Sequence, residues 1–402
     1  MKLKKLISAI AALTIVFSVT SCGEKENGTK ADDYLKTMTI YNGAEIDIVN
    51  EKLRQYIDAV GESEQAAALE SGDGLLSDTQ ILTIEWESDG SESYVLTLAD
   101  NPEFKNKAIF KSTRPRVNIG GTLTPGKTYY YQIDGENMSS KVDKFKVKDA
   151  PVRQINVGGA SNVRDLGGWS AENGKTIAYG KLYRGGKINS GNAPCLTDDG
   201  LNTMSRILGI KTEIDLRFEG WDDDGQKKSV IGDDVNYVKP GGFHSYNYIL
   251  PEFKNYGENN RSYYAPSARS IKTIFSTLAE KSNYPVYFHC NAGADRTGVV
   301  AFLIETAVGV SEEDAIKDFE ITSFSKYGAR YRGKIANGSF VGGVMQDDDN
   351  NFVAMGYFIE RLKAVYAPTS GNVNEATVNY LKTVCGVTES QINTIKSIML
   401  TK

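Results

Sequence analysis

The 402-residue chain holds 46 Lys and Arg against 51 Asp and Glu, a formal charge of −5, and a chain of that balance is a poor general binder of nucleic acid. Its length allows two domains with separate cores, and its composition is ordinary for a globular protein. Two histidines and four cysteines without paired spacing argue against a zinc site, and no metal or cofactor is expected.

The N-terminus departs from that average. Lys2, Lys4 and Lys5 precede an apolar run from Leu6 to Val19, and Val19, Thr20, Ser21 and Cys22 form a small-residue cleavage site ending in cysteine. This is the pattern of a bacterial lipoprotein leader, with residues 1–21 removed and Cys22 lipidated as the first residue of the mature chain. The run is too short for a membrane-spanning helix. Losing three lysines and no acids brings the mature charge to −8. Residues 22–36 are small, charged or polar and suit a flexible tether. The expected location is the cell envelope, lipid-anchored and outside the cytoplasm. Cys195 and Cys385 are expected as two separately buried thiols, because nothing in the sequence places them near each other.

Residues 37–150 read as β. Ile81–Trp86 alternates between two faces, and Tyr94–Leu98, Lys127–Ile133 and Lys144–Val147 are further strands, separated by the turn pairs Asp89-Gly90, Pro125-Gly126 and Asp134-Gly135. Short strands punctuated this way predict a β-sandwich. Leu123, Pro125, Gly126 and Tyr129, in LTPGKTYYYQI, resemble the fibronectin type III pattern. That resemblance implies an immunoglobulin/fibronectin III-like sandwich, with Tyr129 bonding back to the preceding backbone and Trp86 as the core tryptophan of an early strand. Gly121–Thr128 (GTLTPGKT) also matches a nucleotide-binding loop. Such a loop must open a helix, whereas Tyr129, Tyr130 and Tyr131 continue as strand, so a turn between strands is the better reading.

From Pro151 the pattern becomes α/β. Asn162–Gly168 (NVRDLGG) is followed by a strand at Lys181–Arg184 (KLYR), and Thr197 caps a helix carrying Leu201, Met204 and Leu208 on one face and ended by Gly209. Lys211–Arg217 (KTEIDLR) is a buried strand. A helix over Ala268–Lys281 shows Ile271, Ile274, Phe275 and Leu278 at helical spacing and feeds the strand that ends at His289. Beyond it, Gly309 ends one helix, and Ser311 with Asp314 caps another containing Ile316 and Phe319. Asp347–Asp349 lack the glycine and distal glutamate of a calcium loop. The alternation is that of a sheet with crossover helices.

Between that strand and the helix after it lies His289–Gly298, HCNAGADRTG, preceded by Val286, Tyr287 and Phe288 and followed by Val299–Ile304. A strand–loop–helix of this kind turns successive backbone N–H groups inward at a helix N-terminus, which makes a cradle for an anion. Cys290 is placed where such a cradle stabilises a thiolate, and Arg296 offers a planar fork for two anion oxygens. Gly293 and Gly298 allow the tight turn and close approach, and Thr297 is a hydroxyl donor for the sulfur.

These residues resemble the signature of cysteine-dependent protein tyrosine phosphatases: His-Cys, five residues, Arg, then Ser or Thr. The AG-x-DRTG version is similar to the bacterial branch of tyrosine, dual-specificity and phosphoinositide phosphatases, as are NVRDLGG, LYR and IDLR in that order and the closing stretch Glu375–Leu400. The likeness covers residues 155–402 except Lys326–Tyr366, which reads as an insertion or lid. It implies a central sheet flanked by helices over residues 151–402, and hydrolysis of a phosphomonoester, most simply protein phosphotyrosine, through a phosphocysteine on Cys290. Arg296 with Asn291, Ala292, Gly293 and Ala294 would bind the phosphoryl group, His289 would orient the loop, and Asp295 would be the general acid. Asp222, Asp223 and Asp224 are the alternative source of that proton. Arg164 and Asp165 are expected either to border the site or to hold two loops together. Ala294 stands where lysine is usual, which weakens the rival reading of a phosphoinositide or inositol-phosphate phosphatase. A third reading is a surface protein that only captures phosphorylated ligands. The expected partners are therefore a phosphorylated substrate and, through the lipid anchor, a membrane. His244 is given no role.

Overall fold

A computed structural model describes residues 15–18, 37–70, 81–190, 193–223, 225–255, 258–259, 261–325, 330–336, 339–341 and 351–401. Of the expected leader, Ile15–Ser18 is described; its remainder, Cys22, the tether, Asp224 and Asp347–Asp349 lie outside the described residues. The chain divides into two compact units.

The first unit holds the strands β1 (Ile15–Ser18), β2 (Thr37–Ile40), β3 (Glu45–Ile46), β4 (Ile81–Glu85), β5 (Tyr94–Ala99), β6 (Ala108–Ser112), β7 (Arg116–Asn118), β8 (Thr128–Gly135) and β9 (Asp143–Val147). They form a six-stranded sheet in the order β1-β6-β5-β8-β9-β3 and a three-stranded sheet β2-β4-β7. Tyr129, Tyr131 and Ile133 of β8 are buried, the period-2 pattern of a half-covered sheet. Strands β2, β3, β6 and β7 had no counterpart in the sequence reading, because two to five residues flanked by charges carry too little alternation. The Tyr129 hydroxyl accepts from Thr124 N at 2.9 Å and donates to Thr122 O at 3.4 Å. Trp86, expected as the core tryptophan of an early strand, lies one residue past β4, half-buried and edge-on to Tyr94 with centroids 5.3 Å apart. GTLTPGKT runs from a single 3-10 turn into β8, with no helix at its end.

Helices α1 (Glu51–Asp58) and α2 (Glu62–Glu70) interrupt the stretch read as sandwich and group with the second unit. Leu53, Tyr56 and Leu69 enter that unit's core. The sequence did carry a signal, since Leu53, Tyr56 and Ile57 lie at helical spacing behind an Asn50 cap that accepts from Lys52 N at 2.9 Å.

The second unit is built on β10 (Arg153–Gln154), β11 (Arg164–Asp165), β12 (Leu182–Gly185), β13 (Thr212–Asp215), β14 (Asn236–Val238) and β15 (Val286–His289), in the order β10-β11-β12-β15-β13-β14. The last four positions are parallel, and β11 and β10 add an antiparallel edge. The helices are α3 (Asp198–Asn202, continued as a π-helix over Thr203–Ile207), α4 (Arg261–Leu278), α5 (Asp295–Ala307), α6 (Glu312–Glu320), α7 (Asn351–Tyr366), α8 (Val373–Thr383) and α9 (Glu389–Met399). Leu182, Ile214, Val286 and Phe288 face one core with α4, α5, α8 and α9, whereas Tyr183 and Tyr287 pack the opposite face with Met204 and Leu208. Thr197 caps α3, accepting from Gly200 N at 3.1 Å. Helix α4 begins at Arg261 rather than Ala268, with Pro266 inside it, a residue that reads as a boundary in sequence. Gly185, Asp215 and His289 are in register at the C-terminal edge of the parallel strands, the edge at which open α/β sheets bind ligands. Among the described residues no helix is long and apolar enough to cross a membrane.

Candidate active site

His289–Gly298 follows that edge as a bowl. Four successive carbonyls are fixed from behind: Cys290 O meets His289 Nδ1 at 3.1 Å, Asn291 O accepts from Lys187 N at 3.0 Å, Ala292 O accepts from Asn162 Nδ2 at 3.4 Å, and Gly293 O accepts from Asn162 Nδ2 at 3.0 Å and Arg184 Nη2 at 2.8 Å. In a planar trans peptide the next N–H points opposite to the carbonyl. The amides of Asn291, Ala292, Gly293 and Ala294 are thereby turned to the other side, toward the bowl. Gly293 is required for this: its φ is +68°, and a Cβ there would lie 2.3 Å from the Gly185 carbonyl carbon.

His289 supports the loop from the sheet. Its Nε2 lies 3.0 Å from Glu213 Oε1, and Glu213 in turn accepts from Gln226 Nε2 at 3.1 Å and Ser229 Oγ at 2.6 Å. Both ring nitrogens therefore face oxygen acceptors beside Cys290, which is buried. Below the loop sits a second buried frame. Arg164 reaches Asp318 Oδ1 through Nε at 2.8 Å and Asn162 Oδ1 through Nη1 at 2.6 Å, and Arg184 Nη1 reaches Asp318 Oδ2 at 2.5 Å. Burial raises the Asp318 carboxyl, but the two guanidiniums outweigh it and leave it below its ordinary value. Burial, with Arg164 adjacent, brings Arg184 down to about 10. Glu305 of α5 is fully buried with no hydrogen bond to either oxygen, and burial together with the charge of Asp318 pushes it well above the carboxylate range.

The mouth of the bowl is guarded by two carboxylates. Asp222 Oδ2 accepts from Arg296 Nη2 at 2.5 Å and from Asn291 Nδ2 at 3.0 Å. Asp295 Oδ1 accepts from Tyr246 OH at 2.5 Å and Arg330 Nε at 2.7 Å, and its Oδ2 accepts from Arg330 Nη2 at 3.2 Å. Burial lowers Arg296 and Arg330, yet the hydrogen bonds they donate to Asp222 and Asp295 leave each above its usual value. Asp223 anchors the loop that carries Asp222: it is buried, accepts from Lys239 Nζ at 2.6 Å and from Gly220 N and Gly225 N at 2.9 Å, and these bonds overcome burial to hold it at about 2. Asp215 works beside it, accepting from Arg217 Nη2 and Tyr237 OH at 2.8 Å. Burial pushes Asp215 up, but His289, Arg217 and Lys239 hold it well below the carboxylate range.

A model described as the tyrosine phosphatase family matches residues 155–401, more than half of the chain. The chain belongs to the tyrosine phosphatase family. It is similar to a protein of Cupriavidus necator named as a tyrosine-protein phosphatase, with 26% identity over 40% of this chain and 59% of that one. It is likewise similar to a Nostoc commune tyrosine-protein phosphatase, with 27% identity over 32% of this chain and 45% of that one. The chain thus spans about half the length of these curated relatives. A solved core catalytic domain of a PP-IP phosphatase from S. cerevisiae, in complex with citrate, covers 36% of this chain and 72% of its own at 13% identity and a TM-score of 0.22.

Within this tyrosine phosphatase-family unit, Cys290, Asn291, Ala292, Gly293, Asp295 and Arg296 are brought to one bowl with His289 behind it. Ala294 is completely buried at the start of α5. Thr297 is buried too, but its hydroxyl makes no hydrogen bond, so the expected contact with the sulfur is not formed. Arg164 lies behind the loop in the Asp318 frame, not at its rim. Asp165 is paired instead with Arg153 at 3.1 Å and accepts from Gly167 N and Gly180 N, which ties β11 to β10 and to the turn before β12. The sequence reading left out Asn162, Arg184, Glu213, Tyr246, Asp318 and Arg330. Asn162 and Arg184 lie inside the motifs NVRDLGG and LYR, which is the one signal that pointed to them. Cys195 and Cys385 are free thiols; Cys385 is buried as expected, whereas Cys195 is half-buried. Among the described residues no group of three or more His, Cys, Asp or Glu is placed to hold a metal.

Proposed function

We propose that the chain is a phosphomonoester hydrolase acting on phosphotyrosine through a phosphocysteine on Cys290. What carries the reading is the convergence of Cys290, four amides turned from carbonyls fixed behind them, and the Arg296 guanidinium on one loop. Cys290 Sγ attacks phosphorus in line, the P–O bond to the leaving group breaks, and the amides with Arg296 hold the three equatorial oxygens. Water then attacks the phosphocysteine and releases phosphate, restoring the thiolate.

The proton for the leaving oxygen comes from Asp222, and the same carboxylate takes a proton from the attacking water. Asp222 touches Arg296 directly, so an incoming phosphoryl group that claims the guanidinium releases it at the mouth. Asp295 is the competing candidate, but its oxygens are occupied by Arg330 and Tyr246, which suits a positioning role. The complete burial of Ala294 leaves no long cation at the position that would favour polyphosphorylated substrates. Thr297 would donate to the sulfur after a rotamer change, and its unpaired hydroxyl supports that assignment.

The first unit is read as a fibronectin III-like sandwich on the support of the Tyr129–Thr124 bond. The lysine-led apolar run ending in Cys22 supports a lipid anchor outside the cytoplasm; fatty-acid labelling that disappears in Cys22→Ser tests it. Phosphate release from phenyl phosphate and a phosphotyrosine peptide, under reductant, tests the chemistry. Cys290→Ser is expected to abolish turnover. Asp222→Asn should lower kcat about a hundredfold on phenyl phosphate and less on p-nitrophenyl phosphate, whose leaving group needs little protonation. Turnover persisting in Cys290→Ser overturns the mechanism, and a larger loss in Asp295→Asn than in Asp222→Asn returns the acid role to Asp295.

A further inference from the structure

The residues that match the family begin at 155, yet the unit that holds the bowl also takes in residues 49–79. Within it, α1 and α2 pack against α6. Leu53, Tyr56, Ile57 and Leu69 lie in its core, and Lys317 Nζ of α6 donates to Ile57 O near the end of α1 at 3.3 Å. Polar contacts then converge on Glu320 of α6, a completely buried carboxylate that a core tolerates only with partners. Tyr56 OH donates to its Oε2 at 2.5 Å, and Arg332 donates to it from the backbone N at 2.6 Å, Nε at 3.0 Å and Nη2 at 2.8 Å. Gln65 of α2 completes this clamp: its Oε1 accepts from Arg332 Nη2 at 2.7 Å, and its Nε2 donates to Glu313 Oε1 at 3.0 Å. Burial and the charge of Glu320 hold the Tyr56 hydroxyl well above its ordinary value, so it stays a donor.

The clamp bears on the catalytic loop through the chain next to it. Residues 330–333 are in neither helix nor strand, and side chains fix them. Ser323 Oγ accepts from Arg330 N at 2.8 Å and donates to Arg330 O at 2.9 Å, and the Arg330 guanidinium then spans both oxygens of Asp295 at 2.7 and 3.2 Å. We propose that Tyr56 and Gln65 are positioning residues for the anion-binding loop: through Glu320 and Arg332 they hold the segment that keeps Arg330 on Asp295. The inference rests on the phosphatase reading of that loop, and it makes α1 and α2 part of the catalytic unit. A phosphoryl dianion entering beside Asp295 meets a carboxylate whose charge Arg330 offsets; where the clamp loosens, that charge opposes the dianion. Members of a buried network polarise one another, so bonds lost at Tyr56 and Gln65 weaken the hold on Arg332.

The double substitution Tyr56→Phe/Gln65→Leu, made in the full chain, keeps both side chains bulky and removes their bonds to the clamp. KM for phenyl phosphate is expected to rise about threefold or more with kcat within about twofold, and the calorimetric dissociation constant of inorganic phosphate to rise by the same factor. In an Asp295→Asn background, which leaves Arg330 no charge to offset, the pair should change either quantity by less than about 1.5-fold. A merely structural loss moves both backgrounds alike. Unchanged KM and phosphate affinity in Tyr56→Phe/Gln65→Leu, an equal rise in the Asp295→Asn background, or a wild-type chain that binds no phosphate overturns the proposal. Phosphate binding with the expected dependence but no turnover sinks the hydrolase reading and leaves the positioning role standing; turnover without that dependence does the reverse. If the double variant does not fold, either single substitution in the same two backgrounds decides between these outcomes.

Discussion

Replacing Asp318 by asparagine keeps the shape of the frame beneath the loop and removes the negative charge that its two guanidiniums share. Asp318 accepts from Arg164 at 2.8 Å and from Arg184 at 2.5 Å, and all three side chains are buried. Each contact is worth about 4 kcal/mol at an effective dielectric of about 20, set against several kcal/mol for burying the carboxylate. Truncating one partner of such a cluster costs about 3–5 kcal/mol. Glu305 should return part of it. In the native protein burial and the charge of Asp318 hold the Glu305 carboxyl well above its ordinary value, while the unfolded chain ionises it above about pH 4.3. Because its folded value is raised, its contribution to stability is fully present below that pH and is lost as pH rises, by up to about 1.4 kcal/mol per unit. Without the Asp318 charge, Glu305 faces two guanidiniums alone and ionises at lower pH, so Asp318→Asn should lose less stability on going from pH 5.5 to 8. The expected loss is thus about 3–5 kcal/mol at pH 5.5 and smaller at pH 8, read by urea unfolding followed by tryptophan fluorescence. A loss under about 1 kcal/mol at pH 5.5, or one that grows with pH, refutes the assignment of charges in this frame.

Gly293→Ala should reduce kcat/KM at least about a hundredfold, because its Cβ would meet the Gly185 backbone at 2.3 Å and displace the amides; phosphate release measures it. Tyr56→Ala should lower stability by about 3–5 kcal/mol, since the ring is fully buried in the second unit and its hydroxyl bonds Glu320 at 2.5 Å; an unchanged unfolding midpoint would separate α1 from that core. The Asp223 anchor has a depressed carboxyl, so its contribution is present above about pH 3.9 and lost as pH falls through about 2. Lys239→Met should move that loss to higher pH, read by Trp221 emission during acid titration. Arg330→Leu, which releases Asp295, should lower kcat less than Asp222→Asn does; the same phosphate assay ranks the two.

The chemistry-bearing loop was legible in sequence because it is local. Cys290, Gly293 and Arg296 lie within seven residues of one another, and the strand before and helix after them are set by short-range patterning. The caps at Thr197 and Ser311 were legible for the same reason, each being a bond between a side chain and an amide three residues on. Helices α1 and α2 were passed over although their spacing was present, because the surrounding strands made the whole stretch read as β. The edge strands β2, β3 and β7, of two to four residues, were too short for any period to register.

The sequence by itself determined that a nucleophilic cysteine, an anion cradle and an arginine fork would sit together after a buried strand. Only the tertiary structure decided what holds that cradle open and what faces it. Asn162, Arg184 and Glu213 reach the loop from three separate segments, Asp318 holds Arg184 from a fourth, and Arg330 occupies Asp295 while Asp222 lies on Arg296. Those meetings depend on strand order and register, which bring Gly185, Asp215 and His289 to one edge. Hydrogen bonds between residues 35 to 134 positions apart leave no period or spacing in the sequence, so the choice between the two carboxylate roles became readable only in three dimensions.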